Sequence, residues 1–504
     1  MNIEQAKNQV KYTVISYLSK DEFGEYIVPV ERQRPLFLVG PPGIGKTDIM
    51  SQVAREMGIG LVSYPMTHHT RQSALGLPFI HEKEYGGQEY RTTEYTMSEI
   101  IASVYDTMED TGIKEGILFL DEINCISETL APSMLQFLQY KVFGRHKVPE
   151  GWVVVTAGNP PEYNDSVREM DIVTLDRLKR IDVEPDLAVW QKYAQNEGVN
   201  SAVLSYLQIK KDDFYSVQTT VDGKLFVTAR GWVDLAGIID LYEKNHLPVD
   251  IDLISQYIQD QRIARDFAAY YDLFYKFRQE YDVTDILNGT WDPDVAAKAG
   301  EAAFDERITI IRMLSDGLIS DFRKINEEDE VIGQLVEIIK GDRDRLARGG
   351  CAQAVTLLDQ RREEMRSQVQ RESRAHSISR GQKRVSLAVI SALSEIGGLL
   401  SSDATTGRDD PVSVIRGYMG GRNGKKEELV KNGSARLENA FGFLEKAYGD
   451  DNEMLVFVTT LTENKYSSRF IGKYGSDGYF RHNKEVLFYD REKDLQERIG
   501  QLEK

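Results

Sequence analysis

A glycine-rich segment near the start of the chain has the residue types and the spacing of a phosphate-binding loop. Residues 40–47 have the sequence GPPGIGKT, a complete G-x-x-x-x-G-K-[ST] motif. Its glycines let backbone N–H groups turn toward phosphate oxygens, and the helix that begins near Thr47 adds the positive end of its dipole. We expect Lys46 to reach the β- and γ-phosphates and the Thr47 hydroxyl to bind Mg²⁺. The motif predicts a nucleoside triphosphate site formed by Gly40, Pro41, Pro42, Gly43, Ile44, Gly45, Lys46, Thr47 and Asp48.

Two carboxylates after an apolar run supply parts that hydrolysis needs beyond binding. Asp121 and Glu122 directly follow the run Gly116–Leu120. Asp121 is placed to hold Mg²⁺, directly or through water, and Glu122 to polarise the attacking water as a general base. Two acidic residues that merely end a strand are the alternative interpretation, and the upstream phosphate loop disfavours it.

A third polar position follows the next apolar run, Val153–Ala157. Asn159 lies in the sequence GNPP at residues 158–161. A neutral amide at the end of a neighbouring strand can hydrogen-bond the attacking water or the γ-phosphate. Taken alone, an Asn-Pro pair indicates only a turn.

To lie close together, these residues must follow strands that end at the same edge of a sheet. Residues 1–185 have the sequence pattern of such strands. Short apolar runs alternate with helical patterns, which is typical of a parallel sheet covered by helices. The predicted strands are Leu36–Val39, Leu61–Tyr64, Ile117–Leu120, Val153–Ala157 and Arg180–Val183. Such sheets bind ligands at the carboxyl ends of their strands. The predicted fold class is therefore α/β, with a five-stranded parallel sheet flanked by helices.

Two hairpins are predicted to interrupt this pattern. Residues 79–91 surround the pair Gly86-Gly87, a two-glycine turn that favours a β-hairpin. A second short hairpin is predicted over residues 140–146. Long insertions in compact α/β domains usually serve a function.

The remainder of the chain is predicted to be mostly helical. Residues 186–285 carry apolar side chains three and four positions apart, as at Ile263, Phe267, Tyr270, Phe274 and Phe277. Residues 286–504 contain a near-heptad stripe, which is typical of helix packing, at Ile311, Leu314, Leu318, Phe322 and Ile325. Small and polar residues predict loops at 401–410 and 420–424. The tail segment 483–489 is predicted to be helical.

Composition and charge narrow the classes of function. A chain of 504 residues with 41% hydrophobic residues is expected to form several domains. Its formal net charge of −18 disfavours nonspecific binding to nucleic acids or anionic membranes, although a local basic patch stays open. Two cysteines do not make a disulfide framework, and the sequence shows no signal peptide and no apolar run of about 18 residues. We therefore expect a soluble cytoplasmic protein.

Three weaker patterns have ordinary explanations that compete with functional ones. His68 and His69 would need further ligands at suitable spacing to bind a metal, and none is evident. The basic-biased stretch 361–384 is typical of a solvated helical face, and a patch for a protein or nucleic-acid partner is the alternative. Cys125 has no evident base beside it, so we expect a packed small residue rather than a nucleophile.

The ordered set of motifs resembles the AAA+ ATPases and, within them, the MoxR family. The resemblance spans roughly residues 1–285. It is carried by DEIN at 121–124, LQFL at 135–138, GNP at 158–160, DRL at 176–178 and TARGW at 228–232. The hairpin at 79–91 resembles the insertion that interrupts the second helix of this clade. Relatives often carry Arg, Phe and Pro where this chain has Cys125, Leu178 and Ala229.

The resemblance implies roles for residues that the motifs alone do not assign. Asn159 would be sensor 1, Arg177 the arginine finger that reaches a neighbouring subunit, and Arg230 sensor 2. Arg180 is close enough to Arg177 in sequence to exchange roles with it, and Arg230 as an ordinary surface arginine is an alternative. The same resemblance implies a P-loop AAA+ core over 1–185 and a helical lid over 186–285.

The resemblance also implies a function and partners. ATP and Mg²⁺ are the expected cofactors, and a ring of identical subunits, a hexamer in the family, is the expected assembly. A protein with a von Willebrand factor A domain is the expected partner, and a protein client would be remodelled or assembled. The resemblance does not cover residues 286–504, which we expect to bind a partner or to brace the ring. The alternatives are an ATP-gated scaffold with little turnover and a nucleic-acid-associated AAA+ motor.

Overall fold

The computed structural model describes residues 1–68, 72, 74, 76–143, 145–163, 167, 170–220, 223–374, 378–406, 410–449 and 451–483. The chain forms two compact units. The first unit comprises Met1–Val189 and Glu364–Lys383, and the second comprises Trp190–Glu363 and Arg384–Lys504. The predicted domain boundaries at 185 and 285 stay predictions.

A five-stranded parallel sheet forms the centre of the first unit, as the sequence predicts. Its strands are β1 (Leu36–Val39), β2 (Gly60–Pro65), β5 (Gly116–Asp121), β8 (Trp152–Gly158) and β9 (Lys179–Asp182), in the order β2-β5-β8-β1-β9. The helices that lie wholly within this unit are α1 (Ile3–Tyr17), α2 (Lys46–Met57), α3 (Glu99–Thr111), α4 (Ala131–Tyr140) and α5 (Ile172–Leu175), and residues 364–374 and 380–383 add parts of two later helices. Strands β1, β5 and β8 are almost wholly buried, which explains their continuous apolar sequences.

Both predicted hairpins are present. Strands β3 (Pro78–Tyr85) and β4 (Gln88–Tyr95) pair antiparallel on either side of Gly86 and Gly87. Both glycines have positive φ angles, of 62° and 80°, which this two-residue turn requires. Strands β6 (Val142–Phe143) and β7 (His146–Lys147) form the second, shorter hairpin.

The second unit is mainly helical. A hairpin of β10 (Ser216–Thr220) and β11 (Gly223–Val227), which the sequence analysis missed, interrupts the helices. The helices that begin before residue 300 are α6 (Leu187–Glu197), α7 (Ser201–Ile209), α8 (Ala229–Lys244), α9 (Ile251–Tyr257), α10 (Gln261–Glu280), α11 (Val283–Asn288) and α12 (Pro293–Glu301). Helix α6 begins within the first unit, three residues before the division.

Further helices follow from residue 304 onward. They are α13 (Phe304–Gly341), α14 (Arg343–Arg348), α15 (Gly350–Arg374), α16 (Arg380–Thr406), α17 (Pro411–Tyr448), α18 (Asn452–Glu463) and α19 (Lys465–Tyr474). The near-heptad stripe on α13 is buried, so its predicted role in helix packing is confirmed. Residues 484–489 of the predicted helical tail lie outside the described residues.

The predicted loop at 420–424 is wrong, and the one at 401–410 is wrong over residues 401–406. Residues 401–406 continue α16, whereas 407–409 lie outside the described residues. Residues 420–424 lie inside α17, although each glycine in a helix costs about 1 kcal/mol relative to alanine. Contacts with distant residues oppose this cost. Arg422 donates to both carboxylate oxygens of Glu328 at 2.6 and 3.0 Å, and Lys426 donates to Asp329 at 2.9 Å.

One segment corrects the expectation that no apolar run is long enough for a membrane span. Among the described residues, Arg380–Ser402 of α16 meets the criterion by length and composition, with a mean hydropathy of 1.5. Core helices of soluble proteins meet it too, and here Val389, Leu393 and Ile396 are buried inside the protein. The segment is therefore weak evidence for a membrane span.

Candidate active site

Three loops meet at the carboxyl edge of the sheet because their strands are neighbours. The loop over residues 40–47 follows β1, Asp121 ends β5, and Asn159 follows β8, which lies between the other two strands. Parallel strands end at the same edge, so side chains that are far apart in sequence come together here.

The loop over residues 40–47 has the backbone geometry of an anion cradle. Gly43 and Gly45 have φ angles of 74° and 94°, in the region that favours glycine. Gly45 is the N-cap of α2 and has no side chain that could cap the helix. The first backbone N–H groups of a helix that lacks such a cap favour a bound phosphate. This part of the site therefore fits the phosphates of a nucleotide.

Lys46 joins the loop after β1 to the loop after β8. Its side chain is buried, and its Nζ donates to the carbonyl oxygens of Gly40 and Pro41 at 2.7 Å each. The same Nζ donates to Oδ1 of Asn159 at 2.9 Å. A lysine and an amide that lie 113 positions apart in sequence thus form one polar cluster.

Thr47 and Asp121 form the second polar contact of the site. The Thr47 hydroxyl donates to Oδ2 of Asp121 at 2.9 Å, and the backbone N–H of Glu122 donates to Oδ1 of the same carboxylate at 3.0 Å. A hydroxyl beside a carboxylate is a set of hard oxygen ligands, which Mg²⁺ prefers. Mg²⁺ in nucleotide sites commonly takes one or two protein oxygens together with phosphate oxygens and water, so these residues fit the ion.

Glu122 has a strained backbone conformation. Its φ angle is 56°, and it begins the short 3₁₀ turn Ile123–Cys125 directly after β5. A residue other than glycine in this region costs on the order of 1–3 kcal/mol, and such residues concentrate at functional sites. The conformation turns the chain immediately after Asp121 and supports a special role for this position.

Cys125 lies close to both carboxylates. Burial raises the pKa of its thiol, and the negative charges of Glu122 and Asp121 raise it further. The thiol therefore stays protonated at neutral pH. This protonation supports the expectation that Cys125 is not a nucleophile.

The three candidate arginines are not all in the first unit. Arg177 follows α5 and donates to the carbonyl oxygen of Val173 at 2.9 Å. Arg180 is an exposed residue of β9 and pairs with Asp182 at 2.8 Å. Arg230 is exposed in the first turn of α8, in the second unit.

Asn124 was not assigned a role from the sequence. It is 7% exposed, and its Nδ2 donates to the backbone carbonyl of Asn159 at 2.7 Å. Its place two residues after Glu122 was the available signal, but the contact depends on a strand end 35 positions away.

Comparisons with known proteins agree with this geometry. Residues 35–178 match the family described as AAA domain (dynein-related subfamily). This range contains the loop over 40–47, Asp121, Glu122, Asn159 and Arg177, whereas Arg230 lies outside it.

One similar protein is the replication factor C large subunit of Pyrobaculum arsenaticum. The two sequences are 24% identical over 198 residues, which make up 38% of this chain and 38% of that protein. The alignment therefore covers about two fifths of the relative's length. Neither comparison is specific to the MoxR family. With the phosphate loop and the Asp-Glu pair in place, they support an AAA-type nucleotide-binding domain over residues 35–178, which lie in the first unit.

Proposed function

We propose that this protein is a Mg²⁺-dependent ATPase that works as an oligomeric chaperone, remodelling or assembly factor of the MoxR type. The observation that carries the proposal is the joining of three loops at one sheet edge. Lys46 contacts Asn159, and Thr47 contacts Asp121, beside a helix N-terminus that fits a phosphate.

Each residue of the cluster has a definite part in ATP hydrolysis. Lys46 and the loop amides bind the phosphates, and Thr47 and Asp121 hold Mg²⁺, which when bound neutralises charge on the β- and γ-phosphates. Glu122 accepts a proton from the water that attacks the γ-phosphorus. The bond between the γ-phosphorus and the β–γ bridging oxygen breaks, and ADP leaves. Asn159 orients this water or the γ-phosphate.

The assembly is the second part of the proposal. Arg177 would act as a finger in the active site of a neighbouring subunit, and Arg230 would link the lid over 186–285 to the bound nucleotide. Planar guanidinium groups match phosphate oxygens in two-point contacts, which a lysine cannot make. A finger supplied by a neighbour means that hydrolysis needs a ring, for which a hexamer is proposed.

Partners are proposed from the resemblance and from exposed elements. A protein with a von Willebrand factor A domain and a protein client are proposed, and the cytoplasm is the proposed location. The β3–β4 hairpin supports a contact role, because Ile80 is 72% exposed and the rings of Tyr85 and Tyr90 lie 6.0 Å apart on its exposed surface. Residues 286–504 are proposed to bind a partner or to brace the ring.

A nucleic-acid-associated AAA+ motor is the second candidate, because the similar protein from Pyrobaculum arsenaticum is named a replication factor C large subunit. Stimulation of ATP hydrolysis by DNA, lost at high salt, would favour this candidate. A rate of ATP hydrolysis that DNA does not change would support the MoxR-type proposal. An ATP-gated scaffold would bind ATP with little turnover in either case.

The test of the assembly is steady-state ATPase activity against protein concentration for the wild type, Arg177→Ala and Arg180→Ala. We expect specific activity to rise with concentration in the wild type. We expect Arg177→Ala to assemble but to lose a factor of about 10³ or more in turnover, as fingers do in other NTPases. Activity that is independent of concentration and survives both substitutions would remove the shared site. Loss in Arg180→Ala alone would assign the finger to Arg180.

A further inference from the structure

The 3₁₀ turn that follows Glu122 holds the buried side-chain amide of Asn124, which contacts the loop after β8. Asn124 Nδ2 donates to the carbonyl oxygen of Asn159 at 2.7 Å. Its Oδ1 is buried and has no hydrogen-bond partner among the described residues. A buried acceptor without a partner costs about 1–3 kcal/mol. Stability alone is therefore a poor reason for an asparagine at this position.

Gly158 is shaped to receive this amide. A Cβ atom at residue 158 would lie 2.3 Å from Oδ1, 2.7 Å from Cγ and 2.9 Å from Nδ2 of Asn124. The φ angle of Gly158 is not positive, so its backbone conformation does not demand glycine. The space that Asn124 occupies against the end of β8 is what excludes a side chain there.

The two contacts of Asn159 place it between the general base and the phosphate loop. Its backbone carbonyl is held by Asn124, two residues after Glu122, and its side-chain Oδ1 is held by Lys46. The carbonyl of Gly158 also accepts from the backbone N–H of Gly40 at 3.3 Å. The loop after β8 is thus tied on one side to the turn that carries the carboxylate and on the other to the loop that would bind the phosphates.

We propose that Asn124 is a positioning residue for hydrolysis, which fixes the Asn159 loop relative to Glu122. The proposal rests on the proposed ATPase function. Glu122 and Asn159 must act on the same water molecule. A displacement of about 1 Å between such groups can lower the rate about 10²-fold. Asn124 acts through Asn159 and does not itself touch the nucleotide.

The test compares Asn124→Ala, Gly158→Ala and the double variant with the wild type, with Asn8→Ala of α1 as the matched control in the same unit. The measurements are kcat, KM, affinity for a fluorescent ATP analogue and the midpoint of thermal unfolding. We expect Asn124→Ala to lower kcat on the order of 10- to 100-fold, while KM and analogue affinity change by less than about threefold. The control should match the wild type.

The double variant separates positioning from general damage. Gly158→Ala should by itself lower kcat, because its Cβ displaces the Asn124 side chain. In the Asn124→Ala background the same substitution should cost little more, because the space is already empty, and such non-additivity indicates direct contact. The unfolding midpoints of the nucleotide-free variants should show the same non-additivity.

The outcomes distinguish the two proposals. No ATP turnover by the wild type would remove the proposed function and the positioning role with it. An active wild type with unchanged kcat in Asn124→Ala would overturn only the positioning role. A fall in kcat accompanied by an equal loss of analogue affinity and a much lower unfolding midpoint would assign Asn124 a merely structural role and overturn it as well.

Discussion

The two units use polar residues in opposite ways. In the first unit, Lys46 and Asn159 meet at the end of a sheet, beside a helix N-terminus whose N-cap is a glycine. In the second unit, four successive acids on α13 are each matched by a base from another helix. The pairs are Glu327–Arg384, Glu328–Arg422, Asp329 with Lys426 and Lys473, and Glu330–Arg469.

The difference shows what separates a candidate site from a structural ion-pair cluster. Each acid of the cluster on α13 is paired with at least one base, and these ion pairs hold helices α16, α17 and α19 to α13. The groups at the sheet edge are arranged around a backbone cradle that favours an anion and around an oxygen pair that fits Mg²⁺. A high density of charged residues is therefore a poor guide to chemistry, whereas convergence on such a cradle is a good one.

The largest predicted effect is the loss of ATP affinity when Lys46 at the sheet edge is replaced. Lys46→Ala should weaken ATP binding on the order of 100-fold, because a charge-assisted contact to phosphate is lost. Lys324→Ala, a lysine on α13 that is paired with Asp321 at 3.5 Å, is the control and should leave affinity unchanged. Calorimetric titration with a slowly hydrolysed ATP analogue and Mg²⁺ measures both. Equal affinity in the two variants would contradict the assignment of the loop.

The next effect concerns the stability of the second unit. Burial raises the pKa of the Asp329 carboxyl, but hydrogen bonds and charge from Lys473 and Lys426 lower it more, so the net shift is downward. A depressed pKa adds stability that is present at neutral pH and is lost as the pH falls below about 4 through the folded-state value. Asp329→Asn should cost about 1–3 kcal/mol at pH 7.

Urea unfolding at pH 7 and pH 3 measures this cost. Asp329→Asn should differ from the wild type at pH 7, and the difference should shrink at pH 3. The control Glu330→Gln removes a more exposed pair and should cost less than about 0.5 kcal/mol. The ion-pair account would be wrong if both variants matched the wild type at neutral pH.

A third effect concerns Lys141, a buried lysine of the first unit that donates to the Val30 carbonyl at 3.0 Å and to Gln33 at 3.2 Å. Burial lowers the pKa of its ammonium group to about 7, although the charge of Glu31 opposes this shift. Above pH 7 the unfolded chain holds a proton that the folded protein has lost. The free energy of unfolding should therefore rise between pH 7 and pH 9, by at most about 1.4 kcal/mol per pH unit.

Lys141→Met tests this pH dependence. Unfolding of both proteins at pH 7, 8 and 9 gives the two slopes, and the variant should show the shallower one. Identical slopes would mean that the buried lysine does not lose its proton near neutrality.

Much of the first unit could be predicted from sequence because its signals are local. The predicted strand Leu36–Val39 matches β1, and Gly86-Gly87 marks the hairpin turn by itself. The helix through residues 420–424 could not be predicted, because Glu328 stabilises it from 94 positions away through Arg422. The contact between Asn124 and Asn159 could not be predicted either, because the two residues lie 35 positions apart in sequence. The β10–β11 hairpin was missed although the sequence contains Asp222-Gly223, a pair typical of hairpin turns.

The most direct test of the central claim is release of phosphate from Mg²⁺–ATP by the wild type and by Glu122→Gln, with ATP affinity measured on the same samples. Loss of the general base should remove at least about 100-fold of turnover, while affinity stays within about threefold of the wild type. Equal turnover by both proteins would show that Glu122 is not the base. No turnover by a wild type that binds ATP would contradict the hydrolytic site itself.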